Sequence, residues 1–158
     1  HTMNVFGERQ HPEKFIPMVI QRVRDNQKVF VHSNKEKTQA GSRHYIHAQD
    51  VADGLMFILD LKNYRHNGDF GNASCPKFNL VGPEEIDNLS LAQSIAKIQN
   101  KELLYELIDN HTSRPGHDLR YSLDPSLLKS LGWEPKIKLS KRIEEVVEWS
   151  LKNNRWLS

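Results

Sequence analysis

Arg114-Pro115-Gly116-His117-Asp118-Leu119-Arg120-Tyr121 is the stretch of this sequence whose residue types are best suited to hold a charged ligand. A Pro-Gly pair makes a turn, and an arginine at its mouth offers a planar fork that matches two phosphate oxygens. The plainer alternative is a surface turn with a solvated Arg114. Two upstream segments carry similar chemistry: Asn4-Val5-Phe6-Gly7, and Pro12-Glu13-Lys14-Phe15-Ile16-Pro17. Each residue has an ordinary reading beside the functional one. Lys14 could be a solvated first-turn lysine, Asn79 could close a strand, and His117 could be a simple turn histidine. His44 and His47 lie three apart, a spacing metals can use, but no further ligands cluster with them and no metal site is expected. Asn72, Asn88 and Asn110 each begin an N-x-[ST] triplet. With no secretion signal beside them, they read as chance matches.

What is missing from the sequence also bears on function. The eight glycines form neither G-x-G-x-x-G nor G-x-x-x-x-G-K-[ST], so no backbone turn is predicted that could cradle a dinucleotide pyrophosphate at a helix start. The chain by itself is expected to bind NAD poorly or not at all. Its net charge is only +2. The densest basic cluster, Lys136, Lys138, Lys141 and Arg142, is followed at once by Glu144 and Glu145, which argues against a nucleic-acid surface. The longest apolar run, Val51 to Leu61, is interrupted by Asp53 and Asp60 and is too short for a bilayer. Cys75 is the single cysteine, which excludes an internal disulfide framework and fits a reducing cytoplasm.

The elements that must position these groups are legible in outline. An apolar stripe at Phe15, Ile16, Val19, Ile20 and Val23 predicts a helix opening at Pro12, or nearer Ile16 given Pro17. Lys28 to His32 reads as a short strand, and Ser33 to Ser42 as an exposed loop. Asp50 is the expected N-cap of a helix through Val51, Leu55, Met56 and Leu59. A surface connection over 63–76 leads to a buried strand at Phe78 to Val81, ended by Gly82-Pro83. Ser90 and Gln93 form a capping box for a helix bearing Leu91, Ile95 and Ile98. A strand is expected around Leu103, Tyr105 and Leu107. Asp124-Pro125 opens a short helix closed by Gly132, and a last helix after Ser140 turns Ile143, Val146, Val147 and Leu151 inward. Strands and helices mix, so the class is α/β or α+β.

Taken in order and at these separations, the three segments resemble the second half of dTDP-glucose 4,6-dehydratases, members of the extended short-chain dehydrogenase/reductase superfamily. Leu131-Gly132-Trp133 and Val147-Glu148-Trp149 match the end of that family as well. The resemblance implies an α/β chain of helices and short strands. Residues 1–158 would form one nucleotide-sugar-binding carboxy-terminal domain, without the glycine-rich, NAD-binding Rossmann half. It implies that Asn4 bonds the sugar nucleotide near its diphosphate, that Lys14 and Phe15 line the nucleotide site, and that Phe30 to His32 pass the base. Arg43 would grip a phosphate oxygen, Asn79 would contact the ligand, and Arg114 and His117 would close over diphosphate and nucleoside.

Departures from the family pattern fall at the ligand. Val5 stands where many relatives have an asparagine that meets the cofactor, Glu8 replaces a proline, and Ser113 replaces an acidic residue. The loop between His32 and Arg43 is long and lacks the usual Gly-Asp-Gly turn. For the intact enzyme the resemblance implies a cytoplasmic homodimer. NAD would take hydride from C4 of the sugar, water would leave across C5 and C6, and hydride would return to C6. No tyrosine here has a lysine four residues on, so no catalytic residue is assigned and the chain alone is expected to be inactive. Its partners would be a nucleotide-diphosphate sugar, dTDP-glucose foremost, and the NAD-binding domain. Rival readings are an epimerase or decarboxylase of the same superfamily, and a non-catalytic nucleotide-sugar-binding module.

Overall fold

A computed structural model describes residues 1–61, 77–109 and 118–157 of the chain. Arg114, His117, Cys75 and the connection over 63–76 lie outside the described residues. Strand β1 (Asn4–Phe6) pairs in parallel with β3 (Ser42–His47), setting Asn4 opposite Tyr45 and Phe6 opposite His47. The first half of β3 carries two further partners. Antiparallel β4 (Glu85–Asp87) and parallel β6 (Arg120–Tyr121) complete this sheet. A separate two-stranded parallel sheet joins β2 (Val29–Ser33) to β5 (Tyr105–Asp109).

Three helices build the main core. Helix α1 (Phe15–Arg24) buries Ile16, Val19, Ile20 and Val23, as its stripe predicts. Pro17 is the third helical residue, where a missing N–H forfeits no intrahelical bond, so it costs the helix little. Helix α3 (Asn88–Ile98) contributes Leu91, Ala92, Ile95 and Ala96. Helix α5 (Leu139–Lys152) contributes Ile143, Val146 and Val147, and these faces close over Val29 and Val31 of β2. Burying apolar side chains of this size stabilises the fold by about 1.5–3 kcal/mol each. A smaller cluster of Met3, Ile46, Leu80, Val81, Leu128 and Trp133 sits between the sheet, helix α2 (Ala48–Asp60) and helix α4 (Ser126–Ser130).

Several expectations need correction. The N-cap of α2 is His47, whose Nδ1 accepts from the Gln49 N–H at 3.2 Å. Asp50 is instead buried against Arg142, with Nη2 of Arg142 at 2.7 Å from its Oδ1. The N-cap of α3 is Asp87, accepting from the Ser90 N–H at 2.9 Å, so Ser90 lies inside the first turn. The segment around Leu80 is buried as expected but forms only an isolated parallel bridge to Thr2. Strands β3, β4 and β6 were not predicted at all. The strand expected near Leu103 begins at Tyr105 and runs on to Asp109.

Two glycines permit close approaches. A Cβ on Gly54 would strike Leu80 and Trp133, and one on Gly82 would overlap the Tyr45 carbonyl. Helix α2 leaves a face uncovered: Ala52, Leu55, Met56 and Leu59 are exposed, Leu59 at 77%. Among the described residues, no helix is long and apolar enough to cross a membrane.

Candidate functional site: a cleft between β1, α1 and β3

The short turn after β1 determines where Lys14 sits. The Lys14 N–H donates to the His11 carbonyl at 3.0 Å, and its own carbonyl accepts from Met18, so Lys14 becomes the N-cap of α1. The loop is fixed at its base by Gln10, whose Nε2 donates to the Val5 carbonyl at 2.8 Å. Arg9 adopts a positive φ of 65° and lies 5.8 Å from the Trp149 ring and 5.9 Å from that of Trp156. Contacts of this kind contribute about 0.5–1 kcal/mol at exposed sites.

These constraints place Lys14 and Phe15 beside Asn4 of β1, Phe30 and His32 of β2, and Arg43 of β3. All six line one cleft of approximately 720 Å³. It is large enough for most of a nucleotide-sized ligand. Asn79, the remaining described candidate, is not on this wall. Its Nδ2 donates to the Asp124 carbonyl at 3.0 Å, which ties the Leu80 segment to the turn before α4.

Arg43 is engaged more deeply than expected. Nη1 donates to the carbonyls of Ser42 and Leu119 at 2.6 and 2.7 Å, and Nη2 donates to that of Asp118 at 2.7 Å. Only part of its five-donor fork is left for a ligand. The same side chain thereby seats residues 118–121 on β3, and Asp118, Leu119 and Tyr121 join the cleft wall. Arg120 reinforces the seat through a bidentate pair with Glu85, both bonds at 2.8 Å, and Ser42 Oγ donates to the same carboxylate at 2.6 Å. The Arg120 and Ser42 bonds hold the Glu85 carboxyl down at about 2.

Sequence reasoning missed several residues of the wall. Tyr45 and Asn88 face each other across it, with the phenol donating to Asn88 Oδ1 at 2.8 Å. Burial pushes the Tyr45 phenol above its ordinary range. Asn88 was visible only as part of an N-x-S triplet; its place as the first residue of a helix, directly after Asp87, was the better signal. Acidic Glu13 and Asp118 also line the cleft, so its basic groups are offset by two carboxyl side chains. No group of three or more His, Cys, Asp or Glu suited to a metal occurs among the described residues.

The cleft is walled by β1, β3 and the start of α1 in a mixed α/β chain. Residues 1–73 match the NAD dependent epimerase/dehydratase family, and the fold matches a carboxy-terminal portion of dehydratase and epimerase structures. It is similar to the dTDP-glucose 4,6-dehydratase of Streptomyces niveus, 29% identical over 97% of this chain and 41% of that protein. It is also similar to the low-salt glycan biosynthesis protein Agl12 of Haloferax volcanii, 31% identical over 95% of this chain and 43% of that protein. Among solved structures, the dTDP-glucose 4,6-dehydratase of Bacillus anthracis in complex with NAD aligns with a TM-score of 0.77 at 23% identity, covering 98% of this chain and 44% of that one. A UDP-glucuronic acid 4-epimerase from Bacillus cereus aligns with a TM-score of 0.74 at 18% identity, over 94% and 44%. The chain therefore spans about two fifths of the length of the curated relatives it matches.

Proposed function

We propose that this chain is the substrate-binding portion of a cytoplasmic nucleotide-sugar 4,6-dehydratase acting on dTDP-glucose, in deoxysugar or cell-surface polysaccharide biosynthesis. The observation that carries the reading is the convergence of Asn4, Lys14 and Arg43, far apart in sequence, on one cleft with aromatic walls at Phe15 and Phe30. An ammonium, the remaining donors of a guanidinium and an asparagine amide suit a diphosphate, and the rings suit a base and sugar. Arg114 and His117 are assigned to the same ligand through the family resemblance.

NAD is the cofactor of the intact enzyme in this reading. The residues here do not fit it, since no glycine-rich turn is present and the starts of α2 and α3 are capped by His47 and Asp87. NAD and the catalytic groups are therefore assigned to the part of the relatives' length that this chain does not span. The exposed apolar stripe of α2 is the face offered to that part. A homodimer of the intact enzyme is part of the same proposal. A 4-epimerase is the second reading, favoured by the comparable fold match to the UDP-glucuronic acid 4-epimerase.

Calorimetric titration with dTDP, UDP, CDP and GDP tests the reading, with dTDP expected to bind tightest. Absence of affinity for all four would overturn it, and preference for UDP would shift it toward the epimerase. Lys14→Ala should weaken dTDP binding about tenfold at low salt and less at high salt, as screening reduces a surface charge's contribution. The chain incubated with NAD and dTDP-glucose should form no 4-keto-6-deoxy product. Turnover would show that the catalytic groups are misassigned.

A further inference from the structure

The wall of the cleft between β3 and α3 pairs two side chains whose polarity is fixed by burial. The Tyr45 ring is only 5% exposed and stands edge-on to Phe6, 6.3 Å between centroids at 80°. Its single hydrogen-bond partner among the described residues is Asn88, 2.8 Å away. A buried phenol has one proton to place. If the Asn88 amide were turned round, the phenol would accept from Nδ2 and its own proton would be left without an acceptor, a costly state for a buried donor. The amide is therefore held with its oxygen toward Tyr45, which leaves its N–H groups for a ligand in the cleft that Asn88 lines. Asn88 cannot drift, because its backbone N–H donates to the Gly41 carbonyl at 2.9 Å and it opens α3 directly after the Asp87 cap.

We infer that Tyr45 is a positioning residue for ligand recognition: by pinning the Asn88 amide it makes this wall of the cleft a hydrogen-bond donor, selecting an acceptor oxygen of the bound nucleoside diphosphate. The inference rests on the reading of the cleft as a nucleotide-sugar site. It also compensates for the engagement of Arg43 with main-chain carbonyls, which leaves fewer guanidinium donors for the ligand.

Tyr45→Phe keeps the packed ring and removes only the hydroxyl. In titrations with dTDP, Tyr45→Phe should bind about tenfold more weakly than the unaltered protein, and Asn88→Ala at least as weakly. The double variant should bind no worse than Asn88→Ala alone. A merely structural role for the hydroxyl predicts a further loss in the double variant, and that result, or equal affinity of Tyr45→Phe and the unaltered chain, would overturn the inference. Asn88→Asp, which presents acceptors and a negative charge, should lose more affinity than Asn88→Ala. If the unaltered chain binds no nucleoside diphosphate, the functional reading fails by itself. The pin is then judged separately by 15N relaxation of the Asn88 side-chain amide, which should become mobile in Tyr45→Phe. An amide equally ordered in both proteins would remove the pin.

Discussion

Glu85 carries a clear titration signature at the edge of the sheet. Its carboxyl is held at about 2, against an ordinary 4.5, by hydrogen bonds from Arg120 and then Ser42. Because the folded value lies below the unfolded one, the unfolded chain binds more protons between these limits. The contribution of Glu85 is therefore complete above about pH 4.5 and is lost as the pH falls toward 2. Glu85→Gln should melt at a lower temperature than the unaltered protein at neutral pH, and the difference should shrink through that acid window. A constant difference from pH 6 to pH 2 would contradict the assignment. At this scale the family resemblance named six residues that line the cleft: Asn4, Lys14, Phe15, Phe30, His32 and Arg43. Asn79 stands apart from these six, because an asparagine at this point in the chain looks the same whether its amide meets a ligand or, as in this fold, donates to a carbonyl of Asp124.

Elements were legible where a repeating apolar pattern had to be buried, and obscure where polar partners decided the outcome. The stripes of α1, α3 and α5 are visible because each turns one face to the same core. Strand β3 was missed because its first residues, Ser42, Arg43 and His44, are held by pairing with β4 and β6 and show no apolar alternation. Asp50 was read as a cap because aspartate at a helix start usually is one; only the distant Arg142 converts it into half of a buried ion pair. Burial opposes the Arg142 charge, and Asp50 together with Glu145 more than restores it. Removing Asp50 leaves the buried Arg142 with only Glu145 at 3.4 Å and the Gln49 amide oxygen at 3.1 Å, so Asp50→Ala should destabilise the fold by about 3 kcal/mol, the lower end of the range for a broken buried pair. Joint replacement by Asp50→Leu and Arg142→Met should cost less than Asp50→Ala alone. Urea denaturation of the three proteins decides this. Gly54→Ala tests the contact of α2 with Trp133, and overpacking there should cost about 1–3 kcal/mol, read from the same curves.

At the scale of the whole molecule, the outward side of α2 is exposed among the described residues. Leu55 and Leu59 are 51% and 77% exposed, so Leu55→Lys and Leu59→Lys should change the stability of this chain by no more than about 0.5 kcal/mol. A large loss in denaturation experiments would place these residues in the core instead. The overall class, α/β with short strands, was readable from the alternation of patterns. The arrangement of strands was not, because parallel neighbours such as β2 and β5 are joined through more than seventy residues of intervening chain, and local sequence holds no record of that pairing.

The close approach at Gly82 gives the molecule a vulnerability remote from any ligand. Its backbone lies flush against the carbonyl of Tyr45, so even one added methyl must push β3 aside. The push would be felt first by the ring that orients Asn88. Gly82→Ala would then show itself as a recognition defect in a residue that never meets the cleft, and a mutational scan scored on binding alone would mistake this spacer for a contact.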